Sequence, residues 1–104
     1  ELKAYDGHLL RADLVFNKNI PKANPSVMDI VVEIKCQSVY VNQNAFYQSI
    51  SDDVAKLSML GHNQRGIMVV VVFEQNLLNK LRSEGYYQIP LVQKNICIMY
   101  KAVR

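Results

Sequence analysis

Hydrophobic positions change their period several times along this chain, and each change marks a boundary between elements. Leu2 to Tyr5, the Asp6-Gly7 turn signal and His8 to Phe16 read as a β-hairpin, because Asp-Gly supplies the positive φ angles of a two-residue turn. The pattern lapses between Asn17 and Met28, where Pro21 and Pro25 cannot donate ladder hydrogen bonds, so a loop or wide connection is expected. Asp29 to Cys36 resumes as a β-branched strand of period two. It puts Asp29, Val31, Glu33 and Lys35 on one face and Ile30, Val32, Ile34 and Cys36 on the other. From Asn42 the period becomes helical: Phe46, Ile50, Val54, Leu57 and Leu60 recur at spacings of three and four, and Gly61 is placed to stop the helix. The unbroken apolar run Ile67 to Phe73 has the composition of a central strand covered on both faces. A shorter helix from about Asn76 to Glu84 carries Leu77, Leu78 and Leu81 and ends at Gly85. Asn95 to Val103 predicts a last strand with Ile96, Ile98, Tyr100 and Ala102 on one face.

This order, three strands and then helix, strand, helix, strand, predicts an α/β fold with a mixed central β-sheet flanked by helices. A right-handed crossover is expected to lead into the Ile67 strand. Composition is compatible with one domain over residues 1–104, since 50% of the residues are hydrophobic and 20% charged. The longest apolar run is far short of the roughly 20 residues that cross a bilayer. The chain opens at Glu1 without a Met or a signal-peptide pattern, so a fragment of a longer protein is expected. A net charge of +3 tolerates a polyanionic partner without demanding one. Cys36 and Cys97 lie in apolar strand-like runs, where reduced thiols packing as small hydrophobes are expected, and with them an intracellular setting.

The chemistry enters with charge placed where burial is expected. Glu33 and Lys35 share a face of a strand that otherwise wants to be covered, and Asp13 sits in the apolar stretch Leu9 to Phe16. One divalent cation would account for both carboxylates. Asp29, two pleats back from Glu33, reads as a strand cap. His8 and His62 read as turn residues, having no partners at zinc-ligand spacing. Lys80, Arg82, Lys94, Lys101 and Arg104, with six tyrosines, suit a basic aromatic surface for nucleic acid, although Tyr86-Tyr87 also suits closure of the core.

Asp13, a gap of 19 residues, and Glu33-Ile34-Lys35 in an apolar strand followed by helix, strand, helix and strand resemble the PD-(D/E)xK nuclease superfamily, the restriction-endonuclease-like fold. Gln43 and Tyr47 form a Gln-x-x-x-Tyr at helical spacing, similar to the motif of RecB-like members. Ala12 stands where the family usually has Pro. The resemblance implies a core of order β-β-β-α-β-α-β and a metal-dependent endo- or exonuclease acting on phosphodiester bonds in DNA. It implies Asp13, Glu33 and Lys35 as catalytic residues, with Asp13, Glu33 and the carbonyl of Ile34 as ligands to Mg²⁺ or Mn²⁺. Gln43 and Tyr47 would contact nucleic acid, Lys35 would position the attacking water, and by analogy the protein would be a homodimer in the cytoplasm or at the nucleoid. Two other readings stand beside it: a catalytically inactive module of this fold binding nucleic acid or a protein partner, and an unrelated α/β interaction domain in which Glu33 and Lys35 make a structural ion pair.

Overall fold

A computed structural model describes residues 14–16, 30–90 and 95–104. Its elements run β1 (Leu14–Phe16), β2 (Ile30–Cys36), α1 (Gln43–Leu57), β3 (Arg65–Val72), α2 (Gln75–Ser83), β4 (Tyr87–Ile89) and β5 (Cys97–Ala102). The strands make one mixed sheet in the order β1-β2-β3-β5-β4. β1 pairs antiparallel with β2, and the connection through α1 brings β3 alongside β2 in parallel, with Glu33 opposite Met68 and Lys35 opposite Val70. β5 lies antiparallel to β3, and β4 closes the far edge. The α/β class with a mixed sheet matches the expectation. The expected strand before Asp6 and the first part of the second strand lie outside the described residues.

Both helices pack on the same side of the sheet. Val31, Met68, Val70, Val72 and Met99 project from three strands into one core with Phe46, Ile50 and Leu57 of α1 and Leu77, Leu78 and Leu81 of α2. Cross-strand partners share a face, so the register fixes this side as the one carrying Val31, Glu33 and Lys35. The strand's charged side therefore turns toward a helix, while Ile34 faces the other way, 36% exposed. β3 is accordingly not covered equally on both faces: Met68, Val70 and Val72 are buried, whereas Ile67, Val69 and Val71 alternate with them as half-buried positions. Likewise Met99 of β5 is buried and Tyr100, with Ile98 and Ala102, belongs to the opposite face.

Local chemistry sets the ends of the elements. Asn42 caps α1, its side chain accepting from the Ala45 N–H at 2.8 Å. The helix ends at Leu57 with Ser58 as its cap, three residues before the expected stop at Gly61, because the chain then turns through Met59 and Leu60, and Leu60 still reaches the core. α2 stops as expected at Gly85, whose φ of +90° is disfavoured for residues with a Cβ. Gly66 serves close packing instead. A Cβ there would meet the Leu57 side chain at 3.2 Å and the Leu60 side chain at 3.0 Å, so the glycine lets the end of α1 settle against β3.

Candidate functional site

Glu33 is 2% exposed at the middle of β2, a placement that would be costly for an unpaired carboxylate. Its partner comes from α1. Lys56 Nζ lies 3.3 Å from Glu33 Oε1 and 3.5 Å from Asp53 Oδ1, and Lys35 Nζ lies 3.4 Å from Asp53 Oδ2. Two carboxylates and two ammonium groups thus form one electrically balanced cluster between β2 and the last turns of α1. Partial burial would push the Lys56 ammonium down, but the charges of Glu33 and Asp53 outweigh it and hold Lys56 above the ordinary lysine range. Lys35 is the more open of the two lysines, its side chain 34% exposed against 24% for Lys56.

The structure thus links Glu33 to Lys35 through Lys56 and Asp53. Ile34 lies between them in the strand, its side chain on the opposite face. Asp13, Asp29, His8 and Lys94 lie outside the described residues, and His62 sits exposed in the turn after α1. Among the described residues no three His, Cys, Asp or Glu side chains converge on one point. The described donors are the carboxylates of Glu33 and Asp53. Their chemistry fits a hard divalent ion, since both already share one positive charge.

Asp53 and Lys56 were not singled out from the sequence, although a signal was present. Counting Phe46, Ile50, Val54, Leu57 and Leu60 as the buried stripe assigns position 54 to the core. In the structure the buried positions are 46, 50, 53, 57 and 60, with Val54 only partly covered. Asp53 lies three residues after Ile50 and four before Leu57, within the apolar stripe by spacing alone.

Gln43 and Tyr47 project from α1 toward α2. The Gln43 amide donates to Glu74 Oε2 at the start of α2, and the Tyr47 hydroxyl donates to Glu84 Oε1 at its end. The Gln37 amide also donates to Glu74 Oε1, at 2.6 Å, and its carbonyl accepts from the Phe73 and Glu74 N–H groups at 3.0 and 3.3 Å. Lys80 Nζ stands 3.7 Å from the centre of the Tyr47 ring. The hydrogen bond to Glu84, then burial and the charge of Glu84, raise the Tyr47 hydroxyl above the usual tyrosine range. Tyr86 is pushed up to about 12 by burial first, then by the charges of Glu84 and Tyr47. Of the late basic residues, Lys101 donates to the Glu84 carbonyl at 2.7 Å, Arg82 donates to Gln88, and Arg104 donates to the Gly61 carbonyl at 3.3 Å. Tyr86 is buried in the core, whereas Tyr87 is 66% exposed and stacks at a tilt on Tyr100.

No protein-family model, curated protein or solved structure matches this chain. Among the described residues no helix is long and apolar enough to cross a membrane.

Proposed function

We propose that this domain is a metal-dependent nuclease that hydrolyses phosphodiester bonds in DNA. The observation that carries the reading is the turning of the Glu33-Lys35 face of β2 toward α1, where Glu33 and Asp53 lie buried around a shared cation beside the more open Lys35. Further support comes from β2 being the strand at which antiparallel pairing with β1 gives way to parallel pairing with β3, in keeping with the restriction-endonuclease-like order of elements.

A bound Mg²⁺ or Mn²⁺ would supply Lewis acidity and neutralise charge on the phosphate. Glu33 and Asp53 would hold it, together with Asp13 and the Ile34 carbonyl that the resemblance assigns. Lys35 is a three-donor cation on a long stem, suited to hold a non-bridging phosphate oxygen or to orient the attacking water. Asp53 restrains that stem from the side, so Lys35 is positioned before substrate arrives. Water attacks phosphorus, the bond to the leaving oxygen breaks, and a phosphomonoester and a free hydroxyl result.

A second reading, a catalytically inactive module of the same fold, is favoured by one observation. Each charge of the cluster has an internal partner, and Gln43 and Tyr47 are engaged with Glu74 and Glu84. Cleavage of end-labelled single- and double-stranded DNA with Mg²⁺ or Mn²⁺ separates the two. The nuclease reading expects cutting by wild type that is lost on chelation and in Glu33→Gln, whereas cutting by neither protein, with DNA binding retained, would support the inactive module.

A further inference from the structure

We infer that Lys56 is the resident counter-cation of the candidate metal site, and that a divalent ion binds by displacing its ammonium group from between Glu33 and Asp53. The inference rests on the metal-dependent reading and adds to it a device that the resemblance does not assign.

The geometry supports displacement rather than coexistence. Lys56 Nζ contacts one oxygen of each carboxylate, at 3.3 and 3.5 Å, so it fills the space that an ion shared by both would need. Mg²⁺ takes its oxygens at about 2.0–2.1 Å in near-octahedral geometry and cannot tolerate an ammonium group within that shell. Glu33 is closed off at 2% exposure, and its backbone is held in the sheet opposite Met68 of β3. Lys56 differs in both respects. It lies in the last turn of α1, its side chain is 24% exposed, and its four-carbon stem can carry the charge out to solvent without moving the helix. Asp53 keeps Lys35 as a second cation, so departure of Lys56 leaves that carboxylate positioned.

The exchange has a physical logic. Two carboxylates brought together without a cation repel each other, and burial amplifies the repulsion. Lys56 removes that penalty in the metal-free protein, and the same contact then competes with the ion.

The test uses the full chain and calorimetric titration with Mg²⁺ and Mn²⁺. Lys56→Gln removes the charge but keeps an amide of similar reach, and it should bind the ion about tenfold more tightly or better, since the loss of one competing unit charge at contact distance is worth at least that factor. Lys56→Arg keeps a cation in place and should show no gain. If Lys56→Gln unfolds without metal, Mn²⁺ should restore its far-ultraviolet circular dichroism, a recovery that chelation reverses. Equal or weaker binding by Lys56→Gln in a protein whose wild type binds Mn²⁺ would overturn the role of Lys56 alone. Binding by neither would overturn both that role and the metal-dependent reading. Tighter binding by Lys56→Gln without any DNA cleavage would support the displacement and count against the nuclease.

Discussion

The two helices lie against the same face of one sheet and solve the packing problem differently. α2 presents Leu77, Leu78 and Leu81 to the core, an apolar stripe with its polar side chains elsewhere. α1 presents Phe46, Ile50 and Leu57 but interrupts them with buried Asp53, and it sends Lys56 from its last turn to buried Glu33. A carboxylate in a stripe where leucine would fit adds nothing that apolar packing could not supply, since replacing buried ion pairs with hydrophobic residues is often neutral or stabilising. The metal-dependent reading proposed above gives charge at such a place a role. The α2 side has no comparable cluster among the described residues, and its polar contacts with α1 include hydrogen bonds to Glu74 and Glu84 at its ends and Lys80 over the Tyr47 ring.

The contrast predicts opposite patterns of damage. The largest effect on stability is expected for Leu81→Ala, which removes a fully buried side chain beneath α2 and should cost about 2–5 kcal/mol in urea unfolding while leaving metal affinity unchanged. Lys56→Met should cost about 2–4 kcal/mol, because it removes the ammonium group that pairs with buried Glu33 and Asp53. Glu33→Gln should cost less, about 1–2 kcal/mol, since Lys56 is partly exposed and keeps Asp53. It should nevertheless abolish cleavage. A Glu33→Gln protein that unfolds outright would make the cluster structural and dissolve the contrast between the helices.

The sequence made much of this arrangement legible, for reasons that differ by element. β2, α1, β3, α2 and β5 each occupy the expected stretch within a few residues, because a period of two or of three to four marks β2, α1, α2 and β5 and an unbroken apolar run marks β3. β4 was not foreseen: Tyr87-Gln88-Ile89 is too short to show a period, lies wholly exposed at the sheet edge and runs into Pro90. At the site, Glu33 and Lys35 stood out because charge interrupts an apolar strand. Asp53 and Lys56 did not, because α1 is amphipathic and carries polar residues on most of its surface, where one aspartate among Ser51, Asp52 and Asp53 looks solvated. Only the packing of α1 on β2 and β3 selects position 53 over 54 for burial.

Alkaline titration sharpens the comparison further. Lys56 and Tyr86 both titrate higher in the folded state than when unfolded. In each case the folded protein holds its proton after the unfolded chain has released it. Their contributions are therefore complete below about pH 10, the ordinary range of both groups, and decline as pH rises through the folded values. Stability should fall between about pH 10 and 12, with Tyr86→Phe and Lys56→Met each flattening part of the decline in chemical unfolding series. The smallest effects belong to the contacts between the helices. Tyr47→Phe should cost about 1 kcal/mol or less by loss of its bond to Glu84. If Gln43 and Tyr47 leave their internal partners to meet DNA, Gln43→Ala and Tyr47→Phe should weaken binding with little change in its salt dependence, since neither carries charge. Unchanged affinity in both would leave them as a clasp between α1 and α2.

The most direct test of the claim that the charge cluster is built for a divalent ion is anomalous diffraction from crystals of the protein grown with Mn²⁺. The account predicts a peak about 2.0–2.6 Å from carboxylate oxygens of Glu33 and Asp53, with a carboxylate oxygen of Asp13 in the same shell and the Lys56 ammonium withdrawn toward solvent. A map with no anomalous peak at Glu33, and with Lys56 still seated between the two carboxylates at saturating Mn²⁺, would contradict it.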